Sequence, residues 1–200
     1  MGQGKGKKPA TYEDIEQLPL GWVGELIEYE LVASPRPSVG HLHVASRLGA
    51  LLVQPFDWAR GGPGGWWFLD EPELHFAHNV LVPDLAGWRR ERVPDPPEPE
   101  TPWLTLPPDW ICEVLSPSTR TTDRVRKMPL YLHQGVRHAW IIDPVRCTLE
   151  VYRSGPRDWV HTALHEGSVT VRVEPFEAVP LELGLLWMPR RREWESPPAP

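Results

Sequence analysis

Apolar residues along the chain fall into short runs separated by turn signals. Residues 22–27 and 29–33 alternate with period two, which predicts the two strands of a hairpin. Leu42, Ala45, Leu48 and Leu52 recur at helical spacing after Ser38, a residue type that caps helices. Pro55 is expected to stop that helix. Upstream, Thr11-Tyr-Glu-Asp14 has the spacing of a capping box with Asp in place of Glu, and predicts a short helix ending near Leu18-Pro19. Residues 66–70, 73–77 and 79–82 read as short strands of a meander, the last closed by Trp88. Residues 147–153 give a further strand, and residues 159–164 and 168–173 a hairpin through Gly167. Residues 181–187 are a last apolar segment.

Residues 110–143 carry the most information. An apolar run, Trp110-Ile-Cys-Glu-Val-Leu115, is followed by small polar residues at 116–122, a helical segment at about 123–134, and a second apolar run, Ala139-Trp-Ile-Ile-Asp143. Strand, turn, helix and strand in that order is the pattern of a parallel crossover. Pro129 should kink the helix or restart it, and Gly135 should cap its end. Glu113 is the anomaly. A lone carboxylate in a buried strand is costly, so it must be paired, neutralised, bound to a metal or placed at the open end of the sheet. Pro83-Asp84 ends another apolar run and supplies a second carboxylate. Lys127 follows Asp123 by four residues, so both occupy one helical face. Two carboxylates on neighbouring strands plus a lysine suit a hard divalent cation and an anionic substrate.

Two hundred residues fit one domain with a real core. We assign residues 1–10 to a flexible basic arm, 11–188 to the domain and 189–200 to a tail. Seven prolines within residues 89–109 exclude that stretch from a sheet interior and predict an extended surface connection. No apolar run approaches ~18 residues and the N-terminus lacks the apolar core of a secretory signal, so neither a membrane span nor export is expected. Cys112 and Cys147 are too few and too far apart for a zinc site or a disulfide framework. Both lie in strand-like runs, which points to buried thiols and a cytoplasmic setting. The net charge of −6 is not the basic footprint of many nucleic-acid-binding domains. The arginine clusters at 89–92, 120–127 and 190–192 have solvated surface as their plain reading.

In order and spacing, several pieces resemble the Uma-two-type restriction endonuclease family of the PD-(D/E)XK nuclease superfamily. They are Glu25-Leu-Ile-Glu28, His41, Pro83-Asp84, Glu113-Val-Leu-Ser-Pro-Ser-Thr119, Asp123 with Lys127, Tyr131, Gly135-Val136 and Trp140-Ile-Ile-Asp143. The resemblance covers residues 11–187. It implies an α/β (α+β) fold, a restriction-endonuclease-like mixed β-sheet core flanked by helices, with additional antiparallel hairpins. It also implies Mg²⁺-dependent hydrolysis of DNA phosphodiesters, with Mn²⁺ as a substitute, and by analogy a homodimer. Asp84 and Glu113 would be metal ligands, with the Val114 carbonyl as a third. Glu25 would be an auxiliary acid. The pattern departs at one place: Leu115, not Lys, stands two residues after Glu113. Lys127 would then have to reach the site from the following helix.

Each residue also has a plainer reading. Asp84 can be a turn residue, Asp123 a helix cap, Lys127 a surface lysine, and Glu113 a partner of Arg120 or Lys127. His41 and His43, like His75 and His78, lack zinc-ligand spacing; His41 can cap its helix or lie near the site. Ser116, Ser118 and Thr119 lack an adjacent histidine base and read as turn residues. The alternative to an endonuclease is a catalytically inactive module on the same fold that binds DNA or a protein partner. A third possibility, an unrelated interaction domain, predicts that Asp84 and Glu113 lie far apart.

Overall fold

The computed structural model describes residues 8–189. The arm expected at residues 1–10 and the tail at 189–200 fall largely outside them. Helix α1 (Tyr12–Glu16) begins at Thr11, whose main-chain N–H donates to Asp14 Oδ2 at 2.7 Å, so the aspartate variant of the capping box forms. Strands β1 (Trp22–Ile27) and β2 (Glu30–Pro35) are the expected hairpin. Ser38 caps helix α2 (Val39–Leu52), its Oγ accepting from the His41 N–H at 3.3 Å. The α-helix ends at Leu52, ahead of Pro55, as expected. The chain continues through a π-helical turn, Val53–Asp57, with Pro55 buried inside it. A wider i→i+5 turn accommodates a residue without an N–H, and Trp58 N–H closes it on Val53 O at 3.0 Å.

The next strands do not form one meander. Strand β3 (Trp66–Asp70) pairs with β6 (Leu85–Arg89), while β4 (Leu74–Phe76) and β5 (Asn79–Leu81) pair with each other. Trp88 therefore belongs to a separate strand. Pro83 cannot donate to a ladder, so the apolar stretch from 79 to 89 splits there and its halves enter different sheets. Strand β7 (Trp110–Val114) runs parallel to β8 (His138–Asp143). Their crossover is a π-helical segment, Thr122–Lys127, continued by α3 (Met128–His133) with Pro129 in its first turn. Gly135 follows at positive φ, as a helix-ending glycine does.

Strand β9 (Thr148–Ser154) forms a hairpin with β10 (Trp159–Glu166). The expected hairpin through Gly167 is absent among the described residues. Strand β11 (Thr170–Val171) pairs instead with β12 (Leu181–Glu182), because Val171, Leu181 and Leu183 bury their side chains beside α2. Cys147 is half-buried in the turn before β9 rather than in a strand; Cys112 is buried, and both are free.

The sheets have orders β10-β9-β8-β7-β6-β3, β2-β1-β5-β4 and β11-β12. In the six-stranded sheet only β7 and β8 are parallel. One apolar cluster packs one face of that sheet against α2 and contains Trp110, Cys112, Val114, Trp140 and Ile142. A second cluster packs the other face against α3 and the four-stranded sheet, with Ile111, Leu115, Ala139, Ile141 and Tyr131. Both faces are covered, which is why β7 and β8 read as near-continuous apolar runs. The proline-rich connection stays on the surface. It touches the sheets through an isolated bridge between Leu104 and Leu74 and through indole hydrogen bonds from Trp67 and Trp88. No helix of the described residues is long and apolar enough to cross a membrane.

Candidate active site

Strand alternation puts Glu113 on the same face of β7 as Ile111 and Leu115, toward α3. It is 2% exposed, in a strand buried along its whole length. Its surroundings are not apolar. Lys127 Nζ lies 2.9 Å from Glu113 Oε1, and the Tyr131 hydroxyl donates to the same oxygen at 2.7 Å. Both contacts fall on Oε1, which leaves Oε2 for a further partner.

Lys127 is buried, not a surface lysine. The π-helical turn ends at Lys127 and directs it under the sheet. Its ammonium meets Glu113 Oε1, Glu25 Oε1 at 3.0 Å and the Val82 carbonyl at 2.9 Å, with Asp123 Oδ1 at 3.7 Å. All three N–H donors are thereby engaged. Glu25, from the middle of β1, also accepts from the Val82 N–H at 2.7 Å. Lys127 thus ties the hairpin, the β5–β6 link and β7 to the crossover.

Asp84 stands immediately before β6, which pairs with β7 through Leu85 and Cys112. Its Oδ2 accepts from the Val114 N–H at 2.6 Å, and its Oδ1 is 2.7 Å from His41 Nε2, which donates to it. Asp84 therefore touches the residue after Glu113, and the two acids share one cleft. That cleft, about 230 Å³, is lined by Glu25, Glu71, Asp84, Glu113 and Asp123 against Lys127, Arg36 and His41. A larger cleft of about 290 Å³ lies under the proline-rich connection. It is walled by Trp67, Trp88 and Trp103 and has no basic lining residue, unlike the smaller cleft.

Acids outnumber bases here, and the titration behaviour follows. Burial pushes the Glu113 carboxyl well up; Lys127 opposes this, while Asp123, Asp84 and Glu25 add to it. Burial likewise raises Asp123 to about 6, against the pull of Lys127. Burial disfavours the Lys127 ammonium, but Glu113 and Glu25 hold its pKa well above the usual lysine value. Burial lowers His41, and the Asp84 hydrogen bond and charge more than offset it. A site with surplus buried carboxylate is one that a divalent cation would neutralise.

The donor chemistry fits a hard cation: carboxylate and main-chain oxygens, no thiolate. Among the described residues no group of three or more His, Cys, Asp or Glu is arranged to hold a metal ion. A Mg²⁺ site of two carboxylates, one carbonyl and waters needs no such group.

The structure brings together Asp84, Glu113, Val114, Lys127 and Glu25. Asp123 joins them beside Lys127. Arg120 does not pair with Glu113; it meets Asp143 at 2.8 Å. The other basic clusters are mostly tied down as well. Arg92 pairs with Asp109 at 3.0 Å, Arg90 with Asp57, Arg124 with Glu150 and Arg126 with Glu30. The 190–192 cluster lies outside the described residues. His75 contacts Glu73 at 2.6 Å and His78 stacks on Tyr29, so the histidines do not converge. Two contacts have no counterpart in the sequence analysis. Tyr131 on Glu113 was discernible, since it follows Lys127 by four residues. His41 on Asp84 spans 43 positions and leaves no local signal.

A solved structure with the same fold is the crystal structure of a putative nuclease belonging to DUF820 from Anabaena variabilis ATCC 29413. It is 24% identical, with a TM-score of 0.71, over 90% of this chain and 98% of that one. No curated protein matches. Residues 9–185 match the Uma2 family, described as "Putative restriction endonuclease". With that match spanning most of the chain, the protein belongs to the Uma2 family.

Proposed function

We propose that the protein is a Mg²⁺-dependent DNA endonuclease whose active site is the acid-rich cleft between β1, β6 and β7. One observation carries the reading: Asp84 and Glu113 line one cleft with a buried lysine, and acids there exceed bases. Asp84, Glu113 and the Val114 carbonyl would hold the ion, with Mn²⁺ as a substitute. The chemistry supplied by the bound ion is neutralisation of the scissile phosphate and acidification of a water.

The reaction adds water to phosphorus and breaks one P–O ester bond, leaving a phosphate monoester and a hydroxyl. Lys127 contributes a fixed positive charge at the site, because its three donors already serve Glu25, Glu113 and Val82. It also holds the Glu113 and Glu25 carboxylates in place. Tyr131, one helical turn after Lys127, fixes the same Glu113 Oε1, so the other oxygen is left for the cleft. Cutting both strands of a duplex takes two such sites, which a twofold homodimer supplies.

The test is cleavage of supercoiled plasmid in Mg²⁺ or Mn²⁺ by wild type and Glu113→Gln. The expected result is nicked or linear product with wild type, none with Glu113→Gln and none in chelator. Equal cutting by both proteins would contradict the assignment. One observation favours a second reading, an inactive module that binds DNA or a protein partner: the lysine has no N–H left to give to a water or phosphate. Folded wild type that retains DNA without cutting it would support that reading.

A further inference from the structure

We infer that His41 is a positioning residue for Asp84, fixing the carboxylate in the orientation that divalent-ion binding requires. The inference rests on the proposed metal site. Asp84 lies in the three-residue link between β5 and β6, where the ladder does not fix its side chain. Two contacts do so instead. The Val114 N–H holds Oδ2 at 2.6 Å, and His41 Nε2 holds Oδ1 at 2.7 Å. Together they fix both oxygens, hence the plane of the carboxylate and the direction of its remaining lone pairs.

His41 is built for that contact. Ser38 caps α2 through the His41 N–H, which sets the imidazole on the first turn of the helix, facing Asp84. The residue is 6% exposed, and its Nδ1 has no hydrogen-bond partner among the described residues. A buried imidazole normally satisfies both nitrogens. Here its one polar contact is with Asp84, so serving the helix alone does not account for a histidine: the cap uses only the main chain. Partners that orient a metal-binding carboxylate typically change metal affinity by about 10–100-fold when removed.

The experiment is calorimetric titration of Mn²⁺ into wild type, His41→Phe and His41→Gln, with plasmid cleavage followed against Mn²⁺ concentration. Phenylalanine keeps the ring volume and removes the donor. Glutamine places an amide N–H near the Nε2 position without an imidazole. The expected result is a dissociation constant raised about 10-fold or more in His41→Phe, largely restored in His41→Gln. Cleavage by His41→Phe should recover at saturating metal, so the loss appears in the metal requirement rather than in the limiting rate. Unchanged Mn²⁺ affinity in His41→Phe would overturn the inference and leave the nuclease reading standing. Equal losses in both variants would overturn it too, because they would make the imidazole itself a ligand. No Mn²⁺ binding by wild type would overturn the metal site and this role of His41 together.

Discussion

The two central acids of the cleft are held in opposite ways. Glu113 lies inside a fully buried strand, and its charge is answered by a buried ammonium and a buried hydroxyl. Asp84 lies in a link between sheets and is held by one imidazole and one main-chain N–H. The lysine side is therefore part of the core: removing its cation strands several carboxylates in low dielectric. The histidine side is a clamp made of one imidazole and one main-chain N–H, whose loosening strands no cluster of carboxylates. Stability and metal binding should separate along that line.

Lys127→Ala should have the largest effect on folding. It leaves Glu113, Glu25 and Asp123 without their cation, a loss of about 3–5 kcal/mol for a broken buried pair, together with loss of cleavage. Urea unfolding measures the first and plasmid cleavage the second. A variant as stable as wild type would show that the ammonium is not the keystone of that side.

The next effect is a pH dependence of the metal-free protein. Asp123, raised by burial to about 6, binds its proton more tightly folded than unfolded. Between about pH 4 and 6 the native state carries more protons, so unfolding free energy falls as pH rises, by about 2–3 kcal/mol. Glu113, raised further, extends the fall to higher pH. Lys127, raised as well, contributes stability at all these pH values and loses it only above the usual lysine range. Denaturation midpoints across pH 4–8 in chelator check the sign; stability rising steadily over that range would contradict it.

Tyr131→Phe removes one hydrogen bond to Glu113 and should cost about 1.5–3 kcal/mol if Glu113 is charged, and about 1 kcal/mol if it is protonated. The size of the loss at pH 5 and pH 8 therefore reports the state of Glu113. Asp84→Asn should be the mildest for folding, within about 1 kcal/mol, because the amide oxygen can still accept from Val114. It should nonetheless abolish cleavage. Equal destabilisation by Lys127→Ala and Asp84→Asn would erase the distinction between the two sides.

The same division governs what could be read from the chain. Glu113 stands out as a charge within an apolar run, and Lys127 and Asp123 share a helical face, so the lysine side follows from local periodicity. The crossover and the first hairpin were legible for the same reason. Sheet membership was not. Strands β5 and β6 are separated by three residues yet join different sheets, a choice made by long-range pairing. Pro55 marks the end of the α-helix, but not the π-helical turn that absorbs the proline and carries the chain on to Asp57. The partner of β10 was misplaced because burial beside α2, not turn chemistry, draws β11 away. His41 meets Asp84 only through the folded core.

The most direct test of a cleft with surplus buried carboxylate is thermal unfolding at pH 8 with chelator and with Mg²⁺, for wild type and Glu113→Gln. An ion at a hundredfold its dissociation constant adds about 2.7 kcal/mol. For a domain of this size that is a rise of about 5–10 °C in Tm. The account predicts that rise in wild type and its absence in Glu113→Gln, which should also be the more stable of the two in chelator. A wild type whose Tm ignores Mg²⁺, or a Glu113→Gln that responds equally, would contradict it.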